Sequence, residues 1–172
     1  MTESFQAPPP PNSAYGRALF ATAFGMTMTG GVILTAMVGM VVVSIVGRAL
    51  FSAPVYGDFE LVSMGTTAAV FLFLPYCQLV RGNVIVDLFM AHAPARLKLA
   101  CDVAGALLYA VIAGVLAARS VLGGLDMYKY HETSMILSIP VWWVFPFIGV
   151  SLVVLSLCCL YTALTDLRKM SA

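Results

Sequence analysis

Residues 18–47 read ALFATAFGMTMTGGVILTAMVGMVVVSIVG, an apolar run that no charged side chain interrupts between Arg17 and Arg48. A helix needs about 20 such residues to cross the hydrocarbon core of a bilayer, which is about 30 Å thick. The run is longer than that, so the helix is expected to tilt or to begin in the interface. Gly30 and Gly31 are expected to allow a bend. The run therefore predicts a membrane-spanning helix.

The composition of the whole chain supports a membrane protein. Hydrophobic residues make up 61% of the 172 residues, and the mean hydropathy is +0.97. Charged residues make up 10%, against about 25% in a typical soluble domain. So few charges cannot cover the apolar surface of a soluble fold of this size, whereas a lipid bilayer does not require them to. A net charge of +1, with no long basic block, gives no indication of nucleic-acid binding.

Three further apolar runs complete the predicted fold, which is an all-α polytopic membrane protein. A single membrane domain is expected at residues 17–169, with no internal repeat. Its four transmembrane helices are predicted at about 22–47, 60–80, 102–122 and 140–165. In the fourth, Pro140 suits a first helical turn, and Pro146 lies deeper and is expected to bend the helix.

Two segments are expected to lie outside the spans. Residues 1–16 contain four consecutive prolines and little that could be buried, so they are predicted to form a disordered tail. Residues 87–102 mix apolar and basic side chains around Pro94. They are predicted to form short amphipathic turns on the membrane surface between the second and third helices.

The distribution of basic residues predicts the orientation. With four spans, both termini and the middle loop share one side, which has six Lys or Arg residues against three on the other. The positive-inside rule makes the first side cytoplasmic. Trp142 and Trp143 then lie at the outer interface, where indole rings are favoured.

No group of residues in the sequence indicates catalysis, a metal or a cofactor. The four cysteines lie in or beside apolar runs without C-x-x-C spacing, so we expect buried free thiols. The two histidines, His92 and His131, are predicted on opposite sides of the membrane and cannot ligate one ion. The chain is therefore not expected to be an enzyme.

The outer side of the predicted bundle has mixed charges and aromatic residues that could dock a partner protein; a solvated loop without a partner is the alternative. Asp58 and Glu60 could instead cap the second helix. Arg119 is expected near the outer interface, as an anchor or in an ion pair with an outer carboxylate. The candidate docking residues are Arg48, Tyr56, Asp58, Glu60, Arg119, Lys129 and Glu132.

Small residues recur every four positions in the third predicted helix. They are Ala106, Ala110, Gly114 and Ala118. Small residues let helices approach closely in lipid, so this stripe is predicted to pack against a helix of this chain or of another.

Two segments of the chain resemble a known family. The first runs from PVYGDFELV at 54–62 through the second span to LVRGNVIVD at 79–87, and the other is HETSMILSIPVWW at 131–143. Together they resemble the small membrane subunit, of the DctQ type, of the tripartite ATP-independent periplasmic (TRAP) transporters. Asn83 stands where many members have histidine. The positions that match the family are Glu60, Gly82, Val86, Asp87, Glu132, Thr133, Leu137, Pro140 and Trp142.

The resemblance implies a function that the residues alone do not. In that family a large membrane subunit carries the substrate and sodium sites, and a periplasmic binding protein delivers an organic anion, often a carboxylate. The small subunit is a scaffold beside the large one and contributes to the docking surface. A bacterial inner-membrane location, with both termini in the cytoplasm, is implied.

Three other functions are alternatives to this one. An autonomous small exporter would need an acidic residue inside the first span, and residues 18–47 contain none. A membrane cytochrome would need paired histidines within the spans, and there are none. A scaffold or assembly protein of another inner-membrane complex remains an alternative, and only the partner would distinguish it.

Overall fold

The computed structural model describes residues 14–51, 56–80 and 95–171, with side chains in 14–50, 56–80 and 101–167. This part of the chain forms four long helices, each long and apolar enough to cross a membrane. A short 3-10 turn, Val141–Val144, precedes the last of them. The prediction of an all-α fold with four transmembrane helices is thus confirmed. The helices are α1 (Ala14–Phe51), α2 (Asp58–Leu79), α3 (Ala95–Lys129) and α4 (Phe145–Ser171).

Two helices extend beyond the spans expected from hydropathy. Helix α1 begins at Ala14, inside the predicted tail, whose residues 1–13 lie outside the described part. Helix α3 begins at Ala95, so the second half of the predicted surface segment continues directly into the third span. The first half of that segment, together with Gly82, Asn83, Val86 and Asp87, lies outside the described residues. Hydropathy locates the part of a helix inside lipid, whereas backbone hydrogen bonding continues past it.

The helices pack in a row rather than in chain order. Helix α1 packs on α2, α2 packs on α4, and α4 packs on α3, which leaves α1 and α3 at the two ends. Large apolar side chains on the outside of the row stay open, as at Val32 (70% exposed) and Val111 (64% exposed). Such surfaces are unfavourable in water and favourable in lipid, which agrees with a membrane location.

Helices α1 and α2 come close together at Gly30. A Cβ atom placed there would lie 3.2 Å from the carbonyl oxygen of Ala69 and 3.2 Å from Cβ of Leu72, whereas one placed on Gly31 would meet nothing within 4 Å. Helix α1 is helical throughout Ala14–Phe51. Gly30 therefore serves helix contact, and the bend expected at the glycine pair stays a prediction.

Replacing Gly30 with alanine is expected to weaken the α1–α2 contact. Alanine favours a helix over glycine by about 1 kcal/mol at either position, but at Gly30 the overpacked contact costs about 1–3 kcal/mol. Gly30→Ala should therefore melt at a lower temperature in detergent than Gly31→Ala, which is the matched control. Equal melting temperatures for the two variants would contradict the close contact.

The tightest core of the protein lies between α3 and α4. Ala110, Ala113 and Ala117 of α3 are buried against Leu152 and Leu155 of α4. The buried residues that α3 contributes to this core are alanines, so the two helices can approach closely and gain dispersion contacts.

Pro75 inside α2 is compensated by a serine of α4. Proline has no N–H, so the carbonyl oxygen four residues earlier, on Phe71, loses its helical donor. The buried hydroxyl of Ser151 donates a hydrogen bond to that oxygen. The helical break is thereby satisfied by a neighbouring helix, as the lack of water inside a bilayer requires.

Pro146 lies in the first turn of α4 and not deep within the helix, where the sequence led us to expect it. Helix α4 begins at Phe145, after the 3-10 turn that follows Pro140, so Pro146 is its second residue. The N–H groups of a first helical turn have no acceptor within the helix. Proline, which has no N–H, therefore loses no hydrogen bond there, and Pro146 fits without distortion.

Candidate docking site

One end of the row carries the two connections α1–α2 and α3–α4, and this end is called the loop face. At the α1–α2 connection the buried Ser44 hydroxyl donates a hydrogen bond of 2.5 Å to Oδ2 of Asp58. Arg48 places a guanidinium nitrogen 3.9 Å from the same oxygen. Asp58 also accepts a hydrogen bond from the N–H of Phe59, at 2.8 Å. The last turns of α1 are thus fastened to the first residue of α2.

Gly57 precedes α2 and adopts a left-handed conformation, with φ of 73°. Its carbonyl oxygen accepts hydrogen bonds from the N–H groups of Glu60 and Leu61, both at 3.1 Å. A Cβ atom on Gly57 would lie 2.4 Å from Cγ of Leu137. Both the backbone angle and the space therefore require glycine.

Glu60 fastens α2 to the α3–α4 connection. Its Oε1 accepts a hydrogen bond from the N–H of Ile136 at 2.9 Å, and its Oε2 accepts one from the N–H of Leu137 at 3.1 Å. Gly57 occupies the N-cap position of α2 and has no side chain to form a cap. Asp58 binds an N–H group of the first turn of α2, so the expected capping contact is present there. The cap expected from Glu60 is not formed, because both of its oxygens bind the α3–α4 connection instead.

The α3–α4 connection is a compact loop with its own hydrogen bonds. The N–H of Glu132 donates to the carbonyl of Met127 at 3.2 Å, and the carbonyl of Glu132 accepts from the N–H of Val141 at 3.2 Å. Ser134 N–H donates to the Ile139 carbonyl at 2.9 Å. Because both its ends and its middle are held, the loop presents a fixed surface.

Exposed side chains on the loop face include large apolar groups that the sequence reasoning missed. Met135 is 99% exposed and Phe59 is 81% exposed. Tyr56, which was among the candidates, is 82% exposed. Methionine and aromatic residues are enriched in protein–protein contacts. Their position in or next to the connections between helices is the signal that could have indicated them, but the sequence did not show which of these residues would be exposed.

Six of the seven predicted docking residues form links or lie open on this face, whereas Arg119 lies elsewhere. The side chain of Arg48 is 67% exposed, and Lys129 and Glu132 are also exposed. Arg119 lies ten residues before Lys129, about 15 Å further along α3. The expected ion pair of Arg119 with an outer carboxylate is not formed among the described side chains. Asp58, one of the carboxylates considered for it, pairs with Arg48 instead.

The small residues of α3 differ in burial. Ala106 and Ala110 are buried, Gly114 is half-buried and Ala118 is exposed. A step of four residues advances about 40° around a helix, so a strict four-residue series turns about 120° over this length. The face that packs on α4 continues instead through Ala113 and Ala117.

The described residues contain no group of three or more His, Cys, Asp or Glu side chains placed to hold a metal ion. The described side chains on the loop face form hydrogen bonds, one ion pair and exposed surface. This arrangement suits recognition of another protein.

Comparison with known proteins identifies the family. The family model described as "Tripartite ATP-independent periplasmic transporters, DctQ component" matches residues 37–169, which is more than half of the chain. No curated protein and no solved structure gives a significant match. The matched range contains the α1–α2 connection and the α3–α4 loop, which together form the loop face. The chain belongs to the DctQ family of small membrane components of the tripartite ATP-independent periplasmic transporters.

Proposed function

We propose that this small permease subunit braces the large membrane subunit of its transporter and offers its loop face to a periplasmic substrate-binding protein. The transporter would take up an organic anion of the carboxylate class, coupled to sodium. The family membership supports the assignment to a tripartite transporter. Sodium coupling, the substrate class and the docking role are proposed on the resemblance and on the loop face together.

The observation that carries the docking role is the rigidity of the loop face. Glu60 binds two consecutive N–H groups of the loop, and Asp58 is fastened to Ser44 of α1. A surface that is ordered before binding loses less conformational entropy on docking. The exposed Arg48 and Glu132 flank this surface and supply charges of both signs, which suits electrostatic steering of a partner.

The scaffold role is supported by the chemistry of the spans. Carboxylates that bind and release a coupling ion lie inside the membrane in ion-driven carriers. Here the described acidic residues lie in the end portions of the helices, at Asp58, Glu60, Asp102, Asp126 and Asp166, or in the α3–α4 loop, at Glu132. Helices of this kind can hold a carrier in position, and the ion and substrate sites are proposed to lie in the large subunit.

We propose that the loop face is periplasmic and that both termini are cytoplasmic in a bacterial inner membrane. The excess of basic residues on the side of the termini supports this orientation. Tyr128, Trp142 and Trp143 pack together next to the loop. The ring centroids of Tyr128 and Trp142 are 5.4 Å apart, and those of the two tryptophans are 6.1 Å apart. Aromatic clusters of this kind favour the membrane interface.

Charge reversal on the loop face tests the docking role. Arg48→Glu and Glu132→Lys are each expected to lower sodium-dependent uptake of labelled small carboxylates about tenfold, because reversing a charge at an interface turns attraction into repulsion. The abundance of the subunit in the membrane should not change. Uptake is measured in cells that contain the whole transporter.

Arg17→Glu is the matched control, since Arg17 is an exposed arginine at the other end of α1. Its uptake should stay within about twofold of the wild type, with a reporter fused to the C-terminus verifying that the orientation is unchanged. Wild-type uptake in both loop-face variants would exclude the docking role.

A further inference from the structure

Arg119 lies on the side of α3 that faces away from the rest of the protein. It follows the buried Ala117 by two residues, a turn of about 200° around the helix. Its side chain is exposed, and no carboxylate lies within ion-pair distance among the described side chains. The protein itself therefore leaves this cation without a counter-charge.

The aromatic cluster at the loop face is the reference from which we infer the depth of Arg119 in the membrane. Tyr128, which packs on Trp142, is nine residues further along α3, or about 13–14 Å. Asp102 is 17 residues away in the other direction, or about 25 Å. Since these two levels span roughly the thickness of a bilayer with its interfaces, Arg119 lies inside the hydrocarbon. The Cα–Cβ bonds of α3 tilt toward its N-terminus, which directs the arginine away from the nearer interface.

The residues around Arg119 form a face suited to helix packing. They recur at alternating intervals of four and three, the spacing of a seam between two helices. Three of them are Leu108, Val115 and Leu122, which are 64%, 57% and 53% exposed. The outward face of α3 is defined by Leu108, Ile112, Val115, Arg119 and Leu122.

We infer that the outward face of α3 docks a membrane-spanning helix of the large subunit, which carries a carboxylate at the depth of Arg119. A guanidinium in hydrocarbon is stable only when it is paired or hydrated, and a carboxylate matches its planar donors in two parallel hydrogen bonds. The apolar residues above and below Arg119 would pack on the same helix. This inference rests on the proposed function, because it places the large subunit on one particular face.

A second copy of this chain does not fit this face. Two copies related by a two-fold axis along the membrane normal would place their two Arg119 side chains at the same depth, close to each other. The repulsion of the two cations opposes such a dimer. An anionic lipid is a poorer occupant as well, since its head group would have to leave the interface to reach Arg119.

Replacement of Arg119 tests the inference in membranes that hold the whole transporter. Arg119→Leu removes the charge and favours membrane insertion, so the variant should reach wild-type abundance. Its recovery of the large subunit in mild detergent should fall about tenfold or more. Arg119→Lys keeps the charge and should retain more of the large subunit than Arg119→Leu. Unchanged recovery with Arg119→Leu would overturn the inference.

Photo-crosslinking identifies the occupant directly. A benzoyl-phenylalanine at Val115 or Leu122 should crosslink to the large subunit. The same probe at Val121, which is 56% exposed on another side of α3, is the control and should give much less product. Crosslinks from the outward face to lipid or to a second copy alone would contradict the inference. If wild-type protein brings down no large subunit, the proposed function itself fails, whereas wild-type recovery without any effect at Arg119 refutes this face alone.

Discussion

Gly57→Ala is expected to be among the most damaging single substitutions in this protein. The residue has φ of 73°, and a side chain in the left-handed region costs about 1–2 kcal/mol. The new Cβ would also lie 2.4 Å from Cγ of Leu137. The backbone of Leu137 is held by the hydrogen bond from its N–H to Glu60, which restrains movement of the loop away from the new Cβ. With about 1–3 kcal/mol for overpacking, the total loss of stability should be about 2–5 kcal/mol.

Thermal melting of the purified subunit in detergent measures this loss, and uptake by the whole transporter should fall with it. Gly39→Ala is the matched control, since Gly39 lies in α1 and a Cβ there meets nothing within 4 Å. Gly57→Ala should cost less stability in the Leu137→Ala background than in the wild type. The steric contact is then gone, while the cost of the backbone conformation remains. A Gly57→Ala variant with wild-type melting would contradict the structure of the loop face.

Ser151→Ala is expected to destabilise the centre of the bundle by about 1–3 kcal/mol, the cost of an unsatisfied buried carbonyl. The Phe71 oxygen has no helical donor because residue 75 is proline, so the Ser151 hydroxyl is its replacement. Ser156→Ala is the control. Its hydroxyl also reaches across to a carbonyl, that of Ala110, at 3.1 Å, but a residue inside α3 already has a helical donor. The control should lose only about 0.6 kcal/mol, a typical value between membrane helices.

Pro75→Ala provides an independent check of this compensation. An alanine at position 75 supplies the N–H donor that the carbonyl oxygen of Phe71 lacks in the wild type. In that background Ser151→Ala should cost much less than it does in the wild type, and the double-mutant cycle gives the coupling between the two positions. Equal costs of Ser151→Ala in both backgrounds would show that the hydroxyl does not replace the missing donor.

The sequence predicted the number and type of the helices because charge-free runs report directly on lipid. The ends of the helices were less predictable. Ala14 and Ala95 start helices outside the apolar runs, where hydropathy carries no information about backbone hydrogen bonds. The packing order was not predictable either, since all four spans are mostly apolar all round and none indicates its neighbour.

The links of the loop face depend on contacts between distant parts of the chain. Glu60 and Leu137 are 77 positions apart, and an acidic residue in a first helical turn is a common cap. The local pattern therefore favoured the wrong interpretation of Glu60. Ser44, near the end of an apolar run, gave no indication of its hydrogen bond to Asp58. By contrast, the exposed charges at Arg48, Lys129 and Glu132 followed from their positions at the ends of spans.

The depth inferred for Arg119 depends on the residue from which it is measured. Counted from Asp102, it was expected at the outer interface. Tyr128, which packs on Trp142, lies nine residues further along α3. In the proposed orientation this aromatic pair marks the outer interface, and Arg119 then lies below it. A charge at this depth, on a face that the chain leaves open, is the feature most in need of a partner.

Reconstitution of the purified subunit tests the central claim that this chain is a scaffold and not a carrier. A tagged chain isolated in mild detergent from native membranes should bring with it a large polytopic partner. The same chain stripped of that partner and placed in liposomes should give no sodium-driven uptake of small carboxylates. Uptake that returns when the large subunit and the binding protein are added would agree with the account. Sodium-driven uptake by the isolated chain alone would contradict it.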